Sequence, residues 1–362
     1  MAPAAELVDD LVAETLLRLP PDEPAGLVRA SLVCKPWRRL LTDRAFLRRY
    51  REFHRAPPML GFFHNSRSGP NFVRTSSGSP CPRRRGFDWS GCRVVDCRHG
   101  RVLLHWPEER NLVVWDPVTG DRKLLHTPGI HVWCRAYSAA VLCAADGGCD
   151  HLDCHGRPFA VVLVSSDLQV TEACVYSSES GSWSAPASIH HWSGTIHVDW
   201  CSAGVPVGDD GIFFATRERD KIVKYSLGQH CLSVIDAPSA VDMDHVLVSA
   251  ENGSLGIATI KDSSLCLWLR KEEQEEVAAW ELCSVTELDK LIPPDYSYNH
   301  SSLIYSAEGL GIIFVRTDVG VFMVELKSRH ARKVGEGWAY YNALPLFSFY
   351  TTGKFWAFSS LF

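Results

Sequence analysis

Beyond residue 57 the sequence repeats one pattern, in which short apolar runs alternate with turns containing Gly, Pro, Asp or Ser. Each unit resembles residues 101–125 (RVLLHWPEERNLVVWDPVTGDRKLL), with a strand, a polar turn, a second strand, a turn and a further strand. Five such units align on apolar residues that lie 61, 49, 43 and 56 residues apart: Trp115, Tyr176, Tyr225, Trp268 and Val324. A recurring unit of this size indicates a repeat architecture, because one unit cannot bury both faces of its own sheet.

The repeat predicts that residues 57–362 form an all-β domain, and specifically a kelch-like β-propeller of about six blades. Five blades are visible between about residues 87 and 334. We expect a sixth to form when a C-terminal strand near 346–350 pairs with early strands at 59–63 and 72–73. Pairing of the two chain ends would hide the edge strands that a linear array leaves open. A β-sandwich or barrel is the alternative architecture.

Residues 1–56 have a different pattern, which predicts four short helices. Leu7, Leu11, Val12, Leu16 and Leu19 recur at three- and four-residue spacing and indicate a first helix that ends before two prolines. A second helix is expected to end near residues 33–34, and a third to start with Pro36 in its first turn. Asp43 is the expected N-cap of the fourth helix. A module of this size leaves much apolar surface exposed, so it needs a partner surface.

Composition and charge exclude several classes of protein. Hydrophobic residues make up 46% and charged residues 22%, which is typical of a folded globular chain. No apolar run reaches the ~18–20 residues needed to span a bilayer, and the N-terminus has acidic residues where a secretory signal would be basic. Residues 57–362 carry a net charge of −7, so we expect no nucleic-acid partner, and from the short apolar runs we expect no membrane partner. The thirteen irregularly spaced cysteines predict free thiols in the cytoplasm and/or nucleus.

The N-terminal segment contains three motifs at characteristic distances: LVDDLVAETLLRLPP at 7–21, LVCKPW at 32–37 and RRLL at 38–41. With these motifs, residues 1–56 resemble the F-box, the helical module that docks on the Skp-type adaptor of cullin–RING ubiquitin ligases. The whole chain is similar to plant F-box proteins that have an F-box-associated, kelch-like propeller. Two positions depart from the family pattern. Val8 stands where a proline is usual, and Pro24 stands where a leucine often opens the second helix.

The resemblance implies that the helical module contacts a Skp-type adaptor and, through it, a cullin–RING ligase. The adaptor-binding residues that it implies are Leu7, Leu11, Leu16, Leu19, Pro20, Leu27, Val33, Cys34, Trp37, Leu40 and Leu41. Trp37 is the strongest hot-spot candidate, because large aromatic side chains often dominate interface energies. The propeller would hold a target protein, and the sequence does not identify which one.

A loop at 143–155 has the densest group of side chains that can bind a metal: Cys143, Cys149, His151, Cys154 and His155. Zinc needs four ligands in a tetrahedron, and no CxxC pair is present. Neighbouring Cys154 and His155 would also point apart on an extended chain. We therefore predict no metal and no cofactor, and interpret this segment as a polar loop between strands.

The sequence thus predicts a non-catalytic substrate-recognition subunit of a Skp–cullin–F-box ubiquitin ligase, which recruits a target for ubiquitination and proteasomal degradation. It contains no P-loop, strand-linked GxGxxG or HExxH motif. One alternative is an F-box protein that acts as a non-degradative scaffold. Another is a propeller that binds a glycan or a small ligand, for which His190, His191, His197 and Asp199 are candidate residues.

Overall fold

A computed structural model describes residues 4–66, 68–75, 89–109, 111–128, 136–145, 149–191, 195–239, 245–250, 252–271, 279–292, 301–307, 311–336 and 342–349. For residues 4–9 the structure describes the backbone only. The predicted contact of Leu7 and the departure at Val8 therefore lie outside the described side chains. No described helix is both long and apolar enough to cross a membrane.

The N-terminal module consists of the four predicted helices. They are α1 (Ala4–Leu17), α2 (Pro24–Val33), α3 (Lys35–Thr42) and α4 (Arg44–His54). Pro24 occupies the first turn of α2, where its missing N–H has no partner to lose. The side chain of Asp43 caps α4 as predicted, because it accepts a hydrogen bond of 2.9 Å from the Phe46 amide.

Six antiparallel sheets follow in the described part of the chain, and we call them blades. Blade 1 begins with β1 (Met59–Ser66) and β2 (Gly69–Arg74). Blade 2 contains β3 (Arg93–Arg98), β4 (Arg101–Trp106), β5 (Asn111–Trp115) and β6 (Arg122–His126). Blade 3 contains β7 (Tyr137–Cys143), β8 (Phe159–Ser166), β9 (Val170–Ser177), β10 (Ser182–Trp183) and β11 (Ala187–His190).

The remaining blades have four strands each, and the last strand returns to blade 1. Blade 4 contains β12 (Val205–Val207), β13 (Gly211–Ala215), β14 (Lys221–Ser226) and β15 (Cys231–Asp236). Blade 5 contains β16 (His245–Ser249), β17 (Leu255–Lys261), β18 (Ser264–Lys271) and β19 (Ala279–Glu287). Blade 6 contains β20 (Ser302–Ala307), β21 (Ile312–Thr317), β22 (Gly320–Glu325) and β23 (His330–Glu336). The final strand is β24 (Leu344–Phe347).

The second strand of a blade carries apolar side chains on both faces because each face packs against a different neighbouring blade. In β4, Val102 and Leu104 pack toward blade 1, whereas Leu103 packs toward blade 3. Successive side chains of a strand point to opposite faces of the sheet, so a strand between two blades has no solvated face. This explains why the strands appear in the sequence as continuous apolar runs rather than alternating ones.

A hydrophobic cluster lies between each pair of neighbouring blades, and together the six clusters close a ring. Five of them join consecutive blades in chain order. The sixth joins blade 6 to blade 1, where Phe314 and Val321 pack with Phe62. The prediction of a propeller of about six blades after a helical module is confirmed, and the structure excludes a sandwich or barrel.

The chain ends close the ring in the predicted way. β24 pairs with β1, with Leu346 opposite Gly61 and Leu344 opposite Phe63. It therefore supplies the inner strand of blade 1, which contacts the inner strand β3 of blade 2. The strand occupies residues 344–347 rather than the expected 346–350, and Tyr350 lies outside the described residues.

The helical module lies on one face of this ring. Inner strands run in one direction around a propeller, so their connections to second strands emerge on a common face. That face carries the loop between β7 and β8, the turn at His99 and Gly100, and Phe349 after β24. Because Phe349 and Leu152 pack with the helices, we call this the F-box face.

Candidate functional site

The implied adaptor-binding residues divide into an interior group and a surface group. Leu16, Leu27 and Leu41 are 1–3% exposed and form the core of the helical module. Their expected contact with an adaptor is therefore corrected, since a side chain without exposed area adds no interface area. Helical periodicity identifies an apolar face, but it does not tell whether that face packs inside the module or outside it.

The surface group contains the side chains that remain available to a partner. Leu11 and Val33 are 67% and 64% exposed, and Leu32 beside Val33 is 69% exposed although it was not among the implied residues. Pro20 and Cys34 are also exposed. Leu19, Trp37 and Leu40 are half-buried against the module core.

The buried face of the module is completed by the propeller. Tyr50 of α4 is fully buried, and its ring lies edge-on to Phe349 with ring centres 6.1 Å apart. Its hydroxyl donates a 2.7 Å hydrogen bond to the carbonyl of Leu19, and burial raises its pKa well above the usual value. Leu152 of the β7–β8 loop packs against the same core. The sequence pattern had no signal for this contact beyond one apolar residue in a polar loop.

An ion pair adds to the contact between α4 and the β7–β8 loop. Arg51 lies 2.9 Å from the carboxylate of Asp153. A cavity of about 300 Å³ lies beside this pair, lined by Arg55 and Pro57 of the linker, by the turn at His99 and by the β7–β8 loop. The F-box face is therefore the place where the two parts of the chain meet.

Four of the five candidate metal-binding side chains converge in this loop. One ligand atom from each of Cys143, Cys149, His151 and Cys154 lies within 4.8 Å of the other three. Cys143 ends β7, and His151 has a left-handed backbone with φ of 56°, which turns its ring back toward the thiols. Lack of a CxxC pair therefore does not keep these four side chains apart, contrary to the expectation that their spacing fits a common centre poorly.

His155 leaves this group, as expected from its position next to Cys154. Its Nδ1 pairs with the carboxylate of Asp116, and its Nε2 lies 3.0 Å from the hydroxyl of Ser348. It packs against the turn at Gly100, where an added Cβ would lie 3.1 Å from the His155 ring. His155 therefore joins the loop to blades 1 and 2.

Burial and neighbouring groups shift the pKa values of Cys143 and Cys154 in opposite directions. Burial raises the pKa of Cys143, but hydrogen bonds from the Ala145 backbone, Cys154 and Cys149 outweigh burial and lower it overall. Burial, followed by the neighbouring Cys143 and Cys149, raises the pKa of Cys154 well above its usual value. The thiol of Cys143 is therefore more acidic than that of Cys154. Burial, followed by the charges of His151, Arg98 and Arg101, lowers the pKa of His99 beside them to about 3.

The side chains at 190–199 that were considered for a glycan-binding propeller contact separate protein neighbours. His197 Nδ1 lies 2.7 Å from Glu218, and His191 lies 2.8 Å from the hydroxyl of Thr171. Asp199 pairs with Arg219 at 2.9 Å. Each group is bonded to a different neighbour, so no His–Asp pair forms among these described residues.

The face opposite the F-box face carries two exposed apolar side chains. Trp200, between blades 3 and 4, is 43% exposed and lies over the guanidinium of Arg93, with a distance of 4.6 Å to its ring centre. Leu168, in the turn between β8 and β9, is 68% exposed. Both belong to connections that leave the propeller at the end away from the helical module.

Comparison with protein families gives two matches. The family described as F-box protein AT5G49610-like, β-propeller, matches residues 93–343. The F-box domain family matches residues 5–49, which span the four helices down to the middle of α4. The two matches divide the chain between its helical module and its blades.

An F-box protein of Arabidopsis thaliana, At3g17480, is 24% identical in an alignment 207 residues long that covers 52% of this chain and 50% of that protein. The chain spans about half the length of the curated relative it matches. Among solved structures, a Lactobacillus plantarum protein is 12% identical, with a TM-score of 0.45 over 76% of this chain and 81% of that one. The propeller domain of Cps50 (Swd1) from Myceliophteria thermophila is 12% identical, with a TM-score of 0.42 over 76% and 82%.

Proposed function

This chain belongs to the F-box protein AT5G49610-like β-propeller family, and from that premise we propose that it is the substrate-recognition subunit of a Skp–cullin–F-box ubiquitin ligase. The observation that carries the proposal is the division of the helical module. One side of the module packs on the propeller through Tyr50 and Phe349, while Leu11, Leu32 and Val33 stay exposed. F-box modules in general bind Skp-type adaptors, and these exposed side chains supply apolar area for that contact.

The adaptor contact is proposed to centre on Val33 and Trp37, with Leu11, Pro20, Cys34 and Leu40 contributing. Val33 and Cys34 lie at the junction of α2 and α3, and Trp37 follows in the first turns of α3. Trp37 is half-buried, so it offers both a fixed position and some free ring surface. A side chain that is already ordered loses little further entropy on binding.

The target is proposed to bind the face opposite the F-box face. The helical module and the linker occupy the F-box face, whereas the opposite face exposes Trp200 and Leu168. Trp is among the residues most enriched at interface hot spots, and the Arg93 guanidinium over its ring helps to hold Trp200 in position. A target there would leave the helical module free to bind the adaptor.

In this proposal the chain performs no covalent chemistry. Its contribution is to raise the effective concentration of the target's lysines near the ubiquitin-loaded enzyme, as tethering does in general. The proposed place of action is the cytoplasm and/or nucleus, where adaptor and cullin are available and thiols stay reduced.

Affinity purification from plant cells tests the proposal. Wild type should co-purify adaptor and cullin, Val33→Arg should lose both, and the control Leu168→Arg should keep both. Proteins captured by wild type and Val33→Arg but not by a Trp200→Ala variant are target candidates, and they should accumulate when Val33→Arg replaces wild type. Captured targets whose levels are the same in both backgrounds would favour a non-degradative scaffold. Absence of adaptor from the wild-type sample would contradict the proposal.

A further inference from the structure

The β7–β8 loop holds three thiols and one imidazole around a common centre. Cys143 ends β7, and Cys149, His151 and Cys154 follow before β8 begins at Phe159. All four ligand atoms lie within 4.8 Å of one another. We propose that these four side chains bind one zinc ion and form a structural Cys₃His site.

The distances match those between ligands of one tetrahedral zinc ion. With Zn–S bonds of about 2.3 Å and Zn–N bonds of about 2.0–2.1 Å, two sulfurs lie about 3.8 Å apart and a sulfur and a nitrogen about 3.6 Å apart. Cys149 Sγ lies 3.7 Å from Cys154 Sγ, and Cys154 Sγ lies 3.5 Å from His151 Nδ1. The ion therefore fits between them with little movement of these three atoms.

Two other arrangements of the same side chains are less consistent with this geometry. A disulfide joins its sulfurs at about 2.05 Å, which is far shorter than the separation of Cys149 and Cys154. Hydrogen bonds between neutral thiols are weak, and they do not require a third thiol and an imidazole at the same point. A zinc ion stabilises all four groups together, because it binds thiolates and a neutral imidazole.

The backbone around the site is fixed from both sides. Cys143 pairs with Phe159 across the sheet, and the Ala144 amide donates to the Pro158 carbonyl at 3.0 Å. The buried guanidinium of Arg101 donates to the carbonyls of Cys154 and Arg157 at 2.5 and 2.6 Å. Ligands that are already held by such contacts lose less conformational entropy when the metal binds.

The ligand set indicates both the metal and its role. Thiolates and imidazole in a tetrahedron suit zinc, whereas the oxygen ligands that magnesium and calcium prefer are not part of the set. Four protein ligands leave no position for water or a substrate. The site is therefore structural rather than catalytic.

The zinc site would hold the helical module on the propeller. Leu152 and Asp153 lie between the ligands His151 and Cys154, and they make the contacts with the helical core and with Arg51. Fixing the two flanking ligands fixes these two side chains. Metal binding in the loop therefore sets the position of the F-box relative to the blades, whether or not an adaptor binds.

The test uses the full-length chain, purified without a histidine tag under reducing conditions. Elemental analysis should find one zinc per chain in wild type and in the control Cys283→Ser, whose thiol is exposed on β19. Cys149→Ser and His151→Ala should weaken zinc binding by more than the ~10–100-fold that loss of an outer partner costs. Cobalt added to the metal-free wild type should give the thiolate-to-metal charge-transfer bands and the visible absorption bands of tetrahedral Co²⁺. Because this measurement uses the wild type, it tests the site even if a variant does not fold.

Several results would overturn the proposal. They are wild-type protein that neither contains nor takes up zinc, equal zinc affinity of wild type and Cys149→Ser, and a Cys149–Cys154 disulfide in the freshly reduced and purified chain. Removal of zinc with a chelator should also speed hydrogen exchange in α4. Unchanged exchange in α4 would overturn the role of the site in holding the module.

Discussion

Arg51 of α4 and Asp153 of the β7–β8 loop form an ion pair of 2.9 Å that connects the helical module with the propeller. The Arg51 side chain is 18% exposed and that of Asp153 is 35% exposed, so the pair is only partly screened by water. Beside it, Leu152 and Phe349 complete the apolar core of the helices. The module is thus a docked part of the structure, and its orientation depends on few residues.

The Arg51–Asp153 pair should show measurable coupling in a double-mutant cycle. We expect a coupling free energy of about 0.5–1 kcal/mol between Arg51→Ala and Asp153→Asn. This lies in the upper part of the range for exposed ion pairs, because the Arg51–Asp153 pair is partly buried. Urea unfolding of the two single variants and the double variant measures the free energies of unfolding. The control pair Arg48–Glu52, 3.9 Å apart on the exposed side of α4, should give a smaller coupling, and equal values would contradict the assignment.

Truncation of Phe349 should destabilise the protein more than truncation of Phe53. Phe349 is 4% exposed and packs on Tyr50, whereas Phe53 is 49% exposed on α4. We expect Phe349→Ala to cost about 3–5 kcal/mol, as for other buried Phe side chains, and Phe53→Ala to cost about 0.5 kcal/mol or less. If calorimetry finds equal losses, the helices do not dock through Phe349.

Asp96 should be critical for the contact between blades 2 and 3. It is fully buried, and its carboxylate accepts hydrogen bonds from the amides of Cys97 at 2.9 Å and of Val141 at 2.8 Å, with Arg98 at 3.5 Å. We expect Asp96→Ala to cost about 3–5 kcal/mol, because the buried Arg98 charge loses its carboxylate.

Glu281→Ala is a suitable comparison for Asp96→Ala. Glu281 pairs with Lys271 on the surface, and both side chains are more than half exposed. Its removal should change the free energy of unfolding by about 1 kcal/mol or less. A loss for Asp96→Ala no larger than that of Glu281→Ala would contradict the inter-blade role of Asp96.

Acid should destabilise the propeller through His105. Burial, and then the charge of Arg93, lowers the pKa of His105 to about 4, while an unfolded histidine titrates near ~6.5. The unfolded chain therefore binds the extra proton between about pH 6.5 and 4, so stability falls as pH drops through this window. The contribution is on the order of 3 kcal/mol.

Urea unfolding at several pH values measures this contribution. In the same window the unfolding free energy of His105→Gln should fall less steeply with decreasing pH than that of wild type. The difference in slope should correspond to about one proton fewer taken up on unfolding. The exposed His330 provides the matched variant His330→Gln, whose pH profile should follow wild type. Parallel profiles of wild type and His105→Gln would show that His105 is not the group responsible.

Much of the propeller was predictable from the sequence because the inner strands of each blade pack against the blades on both sides. The five residues used to align the repeats all lie on the third strand of a blade: Trp115, Tyr176, Tyr225, Trp268 and Val324. Each of them faces an apolar residue of the second strand, as Trp115 faces Val102. Closure by the chain ends followed from the need to hide edge strands. The kelch-like character of the repeats stays a prediction.

The parts that were not predictable depend on contacts between distant segments. Burial of Leu16, Leu27 and Leu41 depends on how the four helices fold on each other and on Phe349, about which periodicity in one helix says nothing. Convergence of Cys149, His151 and Cys154 depends on the left-handed turn at His151. The exposure of Trp200 depends on the route of the segment between blades 3 and 4.

Calorimetric titration of the purified full-length chain with a Skp-type adaptor tests the central claim most directly. We predict saturable binding with one adaptor per chain for wild type and for Leu168→Arg, and loss of binding for Val33→Arg, with all three proteins equally folded by circular dichroism. Val33 is 64% exposed, so the substitution should leave the fold intact. Folded wild type that shows no binding, or Val33→Arg that binds as tightly as wild type, would contradict the account.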